Sequence, residues 1–487
     1  MTAPVHVFEV HDAALDVWRD AAVDDRILVH IDAHHDMWWL DDDRLTTAAN
    51  FLCPAITRGM FREIHWVVPD GSFSTRTARR TLIRHVQSLL RQYPDGSHIV
   101  STDPASITAT IQNRRLTICT LDTLPEMRDD VLLDIDVDYL VIPRVSHNRA
   151  DTHCDRPWRW PADLLTRMER AGVRASLVTI AYSVEGCYTP LRWKYLGDEL
   201  AERMRTSTRS DAVAGFERMR NAVSALAEGN VRAAEEDYLE AGRLLPASAA
   251  PEHHLALLYL HRGDRDLAQR HFARARQIDA SYCTGFATLG PHYFWQGRHA
   301  EARAEFAEAL ILNPDDPHAS IGMAWISAAS RNWRSAIGWY ERSLAVCDES
   351  LDAHRGLGDA YMEVRDFDAA ARHYERSLQL ALHRHKPLSW LVRLPGAAGT
   401  LLDEDHCIGY AALGRAHARR GASDKAIACY RIAFAARSVG VRLRLQLAAL
   451  LARRKKWRDA LWQTMLAAAQ IPASTRSHTR RLLRTTR

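Results

Sequence analysis

The sequence predicts an α/β domain at the N-terminus and an all-α helical domain after it. Up to about residue 205, short apolar runs alternate with longer amphipathic stretches, whereas after about residue 210 a helical unit recurs every 34 residues. A chain of 487 residues exceeds the size at which one hydrophobic core stops growing. Two or more domains are therefore expected.

The N-terminal domain is predicted to be a mostly parallel sheet with helices on both faces. Candidate helices such as Thr77–Tyr93 and Pro161–Ala171 lie between the apolar runs, an alternation typical of parallel sheets. Ligands bind such sheets beyond the carboxyl ends of their strands. The candidate strands are His6–Val10, Ile27–Ile31, Ile64–Val68, Ile99–Ser101, Leu116–Thr120, Val131–Ile135 and Ala175–Ala181.

Two acidic segments each follow a candidate strand and place metal-binding side chains at alternate positions. Residues with a spacing of two share one face of an extended chain. Carboxylates that converge without a cation repel one another and shift their pKa values, and a pair of divalent cations removes that repulsion. The sequence therefore predicts a two-metal site. The alternate residues are Asp32, His34 and Asp36 in the first segment and Asp134, Asp136 and Asp138 in the second.

An Asp-x-His-x-Asp motif at one strand end with an Asp-x-Asp motif at another resembles the arginase (ureohydrolase) superfamily, whose relatives include metal-dependent deacetylases. Within it, the closest likeness is to an uncharacterised protein family that includes peptide arginases, which convert arginine to ornithine inside precursor peptides. The resemblance covers residues 1–205. It implies an arginase-like three-layer fold and a manganese-dependent hydrolase that cleaves a guanidino C–N bond of peptidyl-arginine and releases urea.

The resemblance also implies a role for each ligand. Asp36 and Asp136 are expected to be catalytic and to bridge two Mn²⁺ ions, with zinc as the alternative metal. Carboxylate-rich sites with one imidazole each suit Mn²⁺ better than a metal that prefers sulfur. Bound in this way, the cations are expected to activate water for attack on a trigonal carbon. The other ligands are expected to be Asp32 and His34 at one site, and Asp138 and His11 at the other.

Two neighbouring polar residues are predicted to support the ligands without binding metal. In the arginase pattern the position of Asp134 carries a small polar residue, so Asp134 is expected to hydrogen-bond a ligand. Simple alternation directs His35 to the face opposite His34, which favours a structural role.

Glu185 and Asn50 are the predicted substrate-binding residues, and Glu185 is also predicted to be catalytic. Glu185 follows the last candidate strand, where arginases have a glutamate that pairs with the guanidinium. Arginases place a histidine shortly after the asparagine as a proton shuttle, but residues 51–53 are Phe, Leu and Cys. His147 and His153 are the candidate replacements. The missing shuttle weakens the case for free L-arginine as the substrate.

The C-terminal part is predicted to be a helical solenoid spanning residues 211–470. Its period of 34 and its small residues at the helix turns resemble the tetratricopeptide repeat, whose superhelix offers a groove for peptides or partner helices. An insertion at residues 382–403 interrupts the period and is predicted to be a loop or short helix, and residues 471–487 form a basic tail. The seven predicted turns begin at Gly229, Gly263, Gly297, Arg331, Arg365, Gly421 and Lys455.

Composition excludes several other classes of protein. The net charge is +4 with no long run of one sign before the tail, so no specific nucleic-acid binding is predicted. Eight cysteines with no CxxC pair favour a reducing cytoplasm. No stretch approaches the ~20 apolar residues of a membrane span, and the N-terminus lacks the pattern of a signal peptide.

Two alternatives compete with the arginase-like hydrolase. A deacetylase-like amidohydrolase is expected to bind one Zn²⁺ instead of two Mn²⁺. A non-catalytic scaffold is expected to recruit partners through its repeats and to keep only a vestigial metal domain.

Overall fold

The computed structural model divides at Gly322–Met323 into two compact units. The first contains a β-sheet domain together with the earliest helical repeats, and the second contains later repeats. The described residues are 3–39, 46, 48, 50–94, 96–141, 156–184, 189–206, 210–283, 289–312, 314–346, 350–383, 392–393, 401–402, 404–434 and 441–469.

The N-terminal half is an α/β domain with a mostly parallel sheet, as predicted. The order of its eight described strands is β1-β8-β7-β2-β3-β6-β5-β4, and the first six in this order run parallel. The strands are β1 (Val5–Phe8), β2 (Arg26–Ile31), β3 (Phe61–Val67), β4 (His98–Thr102), β5 (Ser106–Ile111), β6 (Arg114–Cys119), β7 (Val131–Asp136) and β8 (Ala175–Ala181).

Strand β5 was not predicted. It pairs antiparallel with both β4 and β6 and so ends the parallel part of the sheet. Its residues alternate between half-buried and buried positions, as expected of a strand with one face on the core. The two-residue turn Gln112–Asn113 connects it to β6, and both turn residues have positive φ, +44° and +63°. This is the backbone that a tight hairpin requires.

Helices of the α/β domain pack on the sheet through a continuous apolar core. The buried cluster brings Trp18 and Leu82 from two helices against Ile64 of β3 and Leu116 of β6. The helices are α1 (Ala13–Asp20), α2 (Leu52–Thr57), α3 (Arg76–Leu90), α4 (Asp138–Val141), α5 (Pro161–Arg170) and α6 (Tyr195–Arg205).

After α6 the described chain is almost entirely helical. None of its helices is long and apolar enough to cross a bilayer. The helices are α7 (Asp211–Ala227), α8 (Val231–Leu244), α9 (Ala250–Arg262), α10 (Arg265–Ile278), α11 (Leu289–Trp295), α12 (His299–Leu312), α13 (Pro317–Ala329), α14 (Trp333–Val346), α15 (Leu351–Glu363), α16 (Phe367–His383), α17 (Glu404–Arg419), α18 (Ser423–Ala433), α19 (Val441–Arg453) and α20 (Trp457–Ala469).

The change from α/β to all-α structure falls between α6 and α7, but packing does not divide the chain there. His254 of α9 lies 2.8 Å (Nε2 to O) from the Arg192 carbonyl in the turn before α6. The Lys194 ammonium lies 3.2 Å from a carboxylate oxygen of Asp279 and 2.7 Å from the Ser281 hydroxyl. These buried and half-buried contacts join the first repeats to the sheet domain in one unit.

All seven predicted turns between repeat helices have left-handed backbone. Their φ values run from +57° to +86°. Glycine adopts this conformation without strain, whereas arginine and lysine do so at a cost. The turn residues are Gly229, Gly263, Gly297, Arg331, Arg365, Gly421 and Lys455.

The insertion differs from its prediction. Within the part that the structure describes, Val392–Arg393 (β9) and Leu401–Leu402 (β10) pair as short antiparallel strands, not as a loop or a helix. Two apolar-containing segments can satisfy each other's backbone groups in this way once the chain reverses between them. The predicted basic tail, residues 471–487, lies outside the described residues.

Buried glycines let large side chains of neighbouring helices pack closely, and Gly358→Ala tests this. A Cβ at Gly358 would lie 2.5 Å from the buried Tyr374 ring. We expect the substitution to lower the free energy of unfolding by about 1–3 kcal/mol, because the ring has no room to move. Urea denaturation measures the change.

Gly338 is the matched control, because it is an exposed helical glycine with open space, free of other atoms to 4 Å, where a Cβ would lie. Gly338→Ala is expected to raise the free energy of unfolding by about 0.5–1 kcal/mol through helix propensity. Equal effects of the two substitutions would contradict the packing role of Gly358.

Acid is expected to weaken the first compact unit through His254. The Arg192 carbonyl accepts a hydrogen bond from Nε2 and Nδ1 faces the Tyr238 hydroxyl, so the neutral ring is satisfied. Burial lowers the pKa of His254 from its ordinary 6.5 to about 3. Because the unfolded state binds the proton more readily, stability is full above pH 6.5 and is lost as the pH falls toward 3, at a limit of about 1.4 kcal/mol per pH unit.

His254→Gln removes this titration. The variant should be less stable than the parent at pH 8, and the difference in urea midpoint should narrow by pH 5. An unchanged difference between the two pH values would show that His254 does not contribute.

Candidate metal centre

The predicted ligands lie at the carboxyl ends of three strands, β1, β2 and β7, which belong to a group of four adjacent parallel strands. Strand β1 leads to His11, β2 leads to Asp32, β7 ends at Asp136, and β8 leads to Ser183. Since these strands are adjacent in the order β1-β8-β7-β2, the side chains at their ends meet at one edge of the sheet.

The same local turn shapes both acidic motifs. A carboxylate oxygen of Asp32 accepts a hydrogen bond from the His34 backbone N–H at 2.7 Å. A carboxylate oxygen of Asp136 accepts one from the Asp138 N–H at 3.0 Å. Each first aspartate therefore fixes the backbone that carries the next predicted ligand. Asp36 has a φ of +53°, a left-handed conformation that turns the chain after the first motif.

His11 lies at the centre of one group of ligands. Its Nδ1 is 3.1 Å from a carboxylate oxygen of Asp36, 3.1 Å from one of Asp136 and 3.4 Å from one of Asp32. All four side chains are buried. One imidazole nitrogen thus faces three carboxylates, whereas a single N–H group cannot make a good hydrogen bond to all three.

His34 belongs to a second group on the other side of Asp32. Its Nδ1 is 2.7 Å from a carboxylate oxygen of Asp138 and 3.3 Å from one of Asp32. The structure thus brings all six predicted ligands together but groups them differently from the expectation. His34 lies with Asp138, and His11 lies with Asp36, so Asp32 lies between the two groups. The short turns after Asp32 and Asp136 hold His34 and Asp138 on the same side.

Asp134 supports the imidazoles from behind. One of its oxygens lies 2.9 Å from His11 Nε2 and 2.8 Å from His30 Nδ1, and the other accepts a hydrogen bond from the Thr179 hydroxyl at 2.6 Å. When His11 is neutral, the Asp134 carboxylate beside Nε2 favours the proton on that nitrogen, which leaves the lone pair of Nδ1 facing the three other carboxylates. This is the supporting role that the sequence predicts for Asp134.

Sequence reasoning missed His30 and Ser183. His30 is fully buried and pairs with Asp134 across the β2–β7 ladder. The signal was a histidine inside an apolar strand, two residues before Asp32 and hence on the same face. Ser183, with φ +55°, donates a hydrogen bond from its hydroxyl to Asp136 at 2.7 Å. Nothing in the sequence distinguishes it from an ordinary loop serine.

Burial and mutual repulsion shift the acidic groups of the site. Burial, with the nearby Asp32 carboxylate, raises the pKa of Asp36 to about 7. Burial and the Asp136 carboxylate raise the pKa of Asp138 well above its ordinary range. Burial alone would lower the pKa of His11 and His34, but the surrounding carboxylates raise both well above 6.5. The site therefore holds excess negative charge and favours positive charge.

The residues present fit divalent cations. Among the described residues, His11 Nδ1, Asp32 Oδ2 and Asp138 Oδ1 are buried and make no hydrogen bond. Buried polar atoms are rarely left in this state. Two sets of three donor atoms are present, one that includes His11 and one that includes His34, and within each set the atoms lie within 4.8 Å of one another. Carboxylate oxygens together with an imidazole nitrogen are ligands that Mn²⁺ accepts.

The residues that follow Asn50 lie beside the centre. Phe51 packs its ring 4.7 Å (centroid to centroid) from that of His11, and the Leu52 N–H donates to the Asp36 carbonyl at 3.0 Å. The segment expected to carry a proton-shuttle histidine therefore places a phenyl ring against the predicted ligand His11.

Other predicted residues lie elsewhere or outside the described part of the chain. The His35 ring packs against Trp38, Trp66 and His85, contacts that suit the structural role predicted for it. Glu185, His147 and His153 lie outside the described residues.

Comparison with known proteins concerns the helical half. Family models described as tetratricopeptide repeat match residues 288–352 and 353–388. The C-terminal part contains tetratricopeptide repeats. The matches end at residue 388, but Gly421 and Lys455 adopt the same left-handed turn as the earlier repeats, so the repeat geometry continues beyond the insertion.

One curated relative and several solved structures resemble this chain. Superkiller complex protein 3 of Mus musculus is 28% identical over 156 residues, which are 30% of this chain and 10% of that protein. The chain thus spans about a tenth of the length of this curated relative.

The solved structures are 15% identical to this chain. A tetratricopeptide repeat protein from Parabacteroides merdae has a TM-score of 0.33 and covers 53% of this chain and 94% of its own. The APC/C hetero-tetramer Cut9–Hcn1 has a TM-score of 0.35 with 59% and 62% covered, and MamA has 0.31 with 37% and 94% covered.

The Asp36→Asn variant distinguishes two effects of Asp36 on stability, which are repulsion between carboxylates and the binding of a cation. In EDTA the variant should unfold at a higher temperature, because it removes one of several crowded negative charges and asparagine tolerates the positive φ. MnCl₂ should stabilise the parent by about 2.7 kcal/mol at a hundredfold excess over Kd and should barely stabilise the variant. Thermal unfolding in both conditions measures the difference.

Asp122→Asn is the control for this prediction, because Asp122 is exposed and pairs with Arg167 away from the centre. It should respond to MnCl₂ as the parent does. Equal stabilisation of the Asp36→Asn variant would place the cation elsewhere.

Proposed function

We propose that the α/β domain is a metal-dependent hydrolase with arginase-like chemistry that acts on a guanidino C–N bond. The observation that supports it is the convergence of the six predicted ligands at one edge of the sheet. His11, Asp36 and Asp136 would hold one cation and His34 and Asp138 the other, and Asp32 lies within reach of both histidines. The donor set favours Mn²⁺.

When bound, two such cations supply hydroxide near neutral pH and offset the negative charge that develops at the attacked carbon. The chain's own residues keep the site in shape. Asp134 fixes the tautomer of His11 and the orientation of His30, and Ser183 holds one oxygen of Asp136. These hydrogen bonds lock the rotamers of the ligands before substrate arrives, as a preorganised site requires.

The proposed substrate is the arginine side chain of a peptide. The resemblance assigns recognition of the guanidinium to Glu185 and a further substrate contact to Asn50, and a carboxylate fork matches a planar guanidinium. Phe51 stands where a proton-shuttle histidine is expected, so proton transfer falls to another group. The tetratricopeptide repeats favour a peptide over a free amino acid, because such repeats present extended surfaces for peptides and partner helices.

One observation favours a second candidate. Asp32, His34 and Asp138 form a compact set of three donors on their own, which also suits a single Zn²⁺ as in deacetylase-like amidohydrolases. The two candidates differ in metal content. The arginase-like proposal expects two Mn per chain, and the deacetylase-like one expects a single Zn.

The reaction is tested by incubating the Mn-loaded full chain with arginine, agmatine and arginine-containing peptides. We expect urea together with a mass loss of about 42 Da per converted arginine in the peptide. Metal analysis of the same sample gives the stoichiometry. Removal of acetyl groups from an acetyl-lysine peptide, without urea, would favour the one-zinc candidate.

Asp136→Asn is expected to abolish turnover, with a loss of about a thousandfold or more, since it removes the negative charge of a predicted ligand that lies 3.1 Å from His11 Nδ1. Asp122→Asn, which lies away from the centre, should retain the parent rate. If the Asp136→Asn variant retained full turnover, the metal-centre proposal would be wrong. If neither the parent nor the variant showed hydrolase activity while partner binding persisted, the chain would be a scaffold.

A further inference from the structure

The second compact unit contains a cleft of about 720 Å³. Its walls come from the end of α15 and from α17 and α19, with Tyr430 of α18 at its base. The volume is in the range of about 300–1,000 Å³ that is typical of ligand sites in proteins. None of its lining residues takes part in the metal centre.

Four arginines and a single acidic residue, Glu363, line this cleft. The arginines are exposed, and within the described residues none of the four forms an ion pair. Several like charges on one concave surface with few counter-charges create a positive potential that attracts anions. The arginines are Arg415, Arg419, Arg442 and Arg453.

The neighbouring arginines make the contrast clear. Arg420, next to Arg419, lies 2.9 Å from a carboxylate oxygen of Asp368. Arg454, next to Arg453, pairs with Asp424. The repeats thus pair the arginines that point away from the cleft and leave those inside it for an external anion.

The floor of the cleft is apolar. Met362, Ile408, Ala411, Leu443 and Leu450 line it, and Ile408 is 47% exposed. Exposed apolar surface rimmed by charge is typical of protein interaction sites. The occupant therefore needs apolar as well as acidic groups.

The spacing of the arginines fits an extended segment. Arg442 and Arg453 are three helical turns apart on one face of α19, which is about 16 Å along the helix axis. An extended chain covers this distance in about five residues. On α17, Arg415 and Arg419 are one turn apart and so share a face.

We propose that this cleft binds an acidic peptide segment of a partner protein in which apolar residues are interspersed among Asp and Glu. Guanidinium groups pair with carboxylates in bidentate fashion, and the apolar floor takes the interleaved side chains. Single-stranded RNA is disfavoured, because it needs exposed aromatic rings for stacking and the one aromatic residue of the cleft, Tyr430, is 1% exposed. This inference does not rest on the hydrolase proposal.

The test uses the full chain and a fluorescein-labelled peptide that repeats Asp-Glu-Leu for about 12 residues. Fluorescence anisotropy should report binding that weakens as salt rises. An Asn-Gln-Leu peptide of the same length should bind about tenfold or more weakly, because it lacks the carboxylates.

Paired variants locate the site. Arg419→Gln with Arg453→Gln should weaken binding of the acidic peptide by about tenfold, whereas Arg420→Gln with Arg454→Gln should change it by about twofold or less. The two double variants remove the same charge from the same helical regions. Circular dichroism checks that both remain helical.

Charge reversal should produce a new binding activity, which a misfolded variant would not show. Arg419→Glu with Arg453→Glu should lose the acidic peptide and acquire binding of a Lys-Lys-Leu repeat. The inference is overturned if both glutamine double variants weaken binding equally, if the acidic and amide peptides bind alike, or if an oligouridine binds more tightly than the acidic peptide and depends on Arg419 and Arg453.

Discussion

The crowding of buried carboxylates at the carboxyl ends of two adjacent parallel strands, β2 and β7, is the constraint on which the N-terminal structure depends. Asp32, Asp36, Asp134, Asp136 and Asp138 lie within hydrogen-bonding reach of three imidazoles and almost out of contact with water. Such a set is unfavourable unless positive charge is supplied. The histidines offset part of the charge, and the hydrogen bonds from Thr179 and Ser183 offset more.

The sequence predicted the composition of this centre but not its internal arrangement. A spacing of two residues was sufficient to predict that Asp32, His34 and Asp36 lie together, but they follow β2, and a hydrogen-bonded turn, not an extended strand, brings them together. The grouping of His34 with Asp138, and of His11 with Asp36, depends on how strands distant in the chain align, and no single-sequence pattern specifies that register. His30 could have been found from its spacing to Asp32. Ser183 could not.

The helical half was predictable for a different reason. A period of 34 residues fixes the turn positions, and all seven adopt the left-handed backbone, including Arg331, Arg365 and Lys455, where the side chain opposes it. The insertion lacks a period, so its paired strands had no sequence signature. Strand β5 could have been predicted, because Ile107, Ala109 and Ile111 alternate with threonines in the pattern of a half-buried strand and the turn at residues 112–113 marks the hairpin.

The contacts of Arg192 and Lys194 with the first repeats have a practical consequence. If the chain were cut between α6 and α7, where its secondary structure changes, His254, Asp279 and Ser281 would be lost from the surface that they cover. Trp193 and Tyr195, whose rings contact His254, would then face solvent. The first repeats therefore supply part of the buried interior of the sheet domain. A shortened version of the chain would have to retain the helices up to Gly322, and the sheet domain would not be portable as a free-standing module.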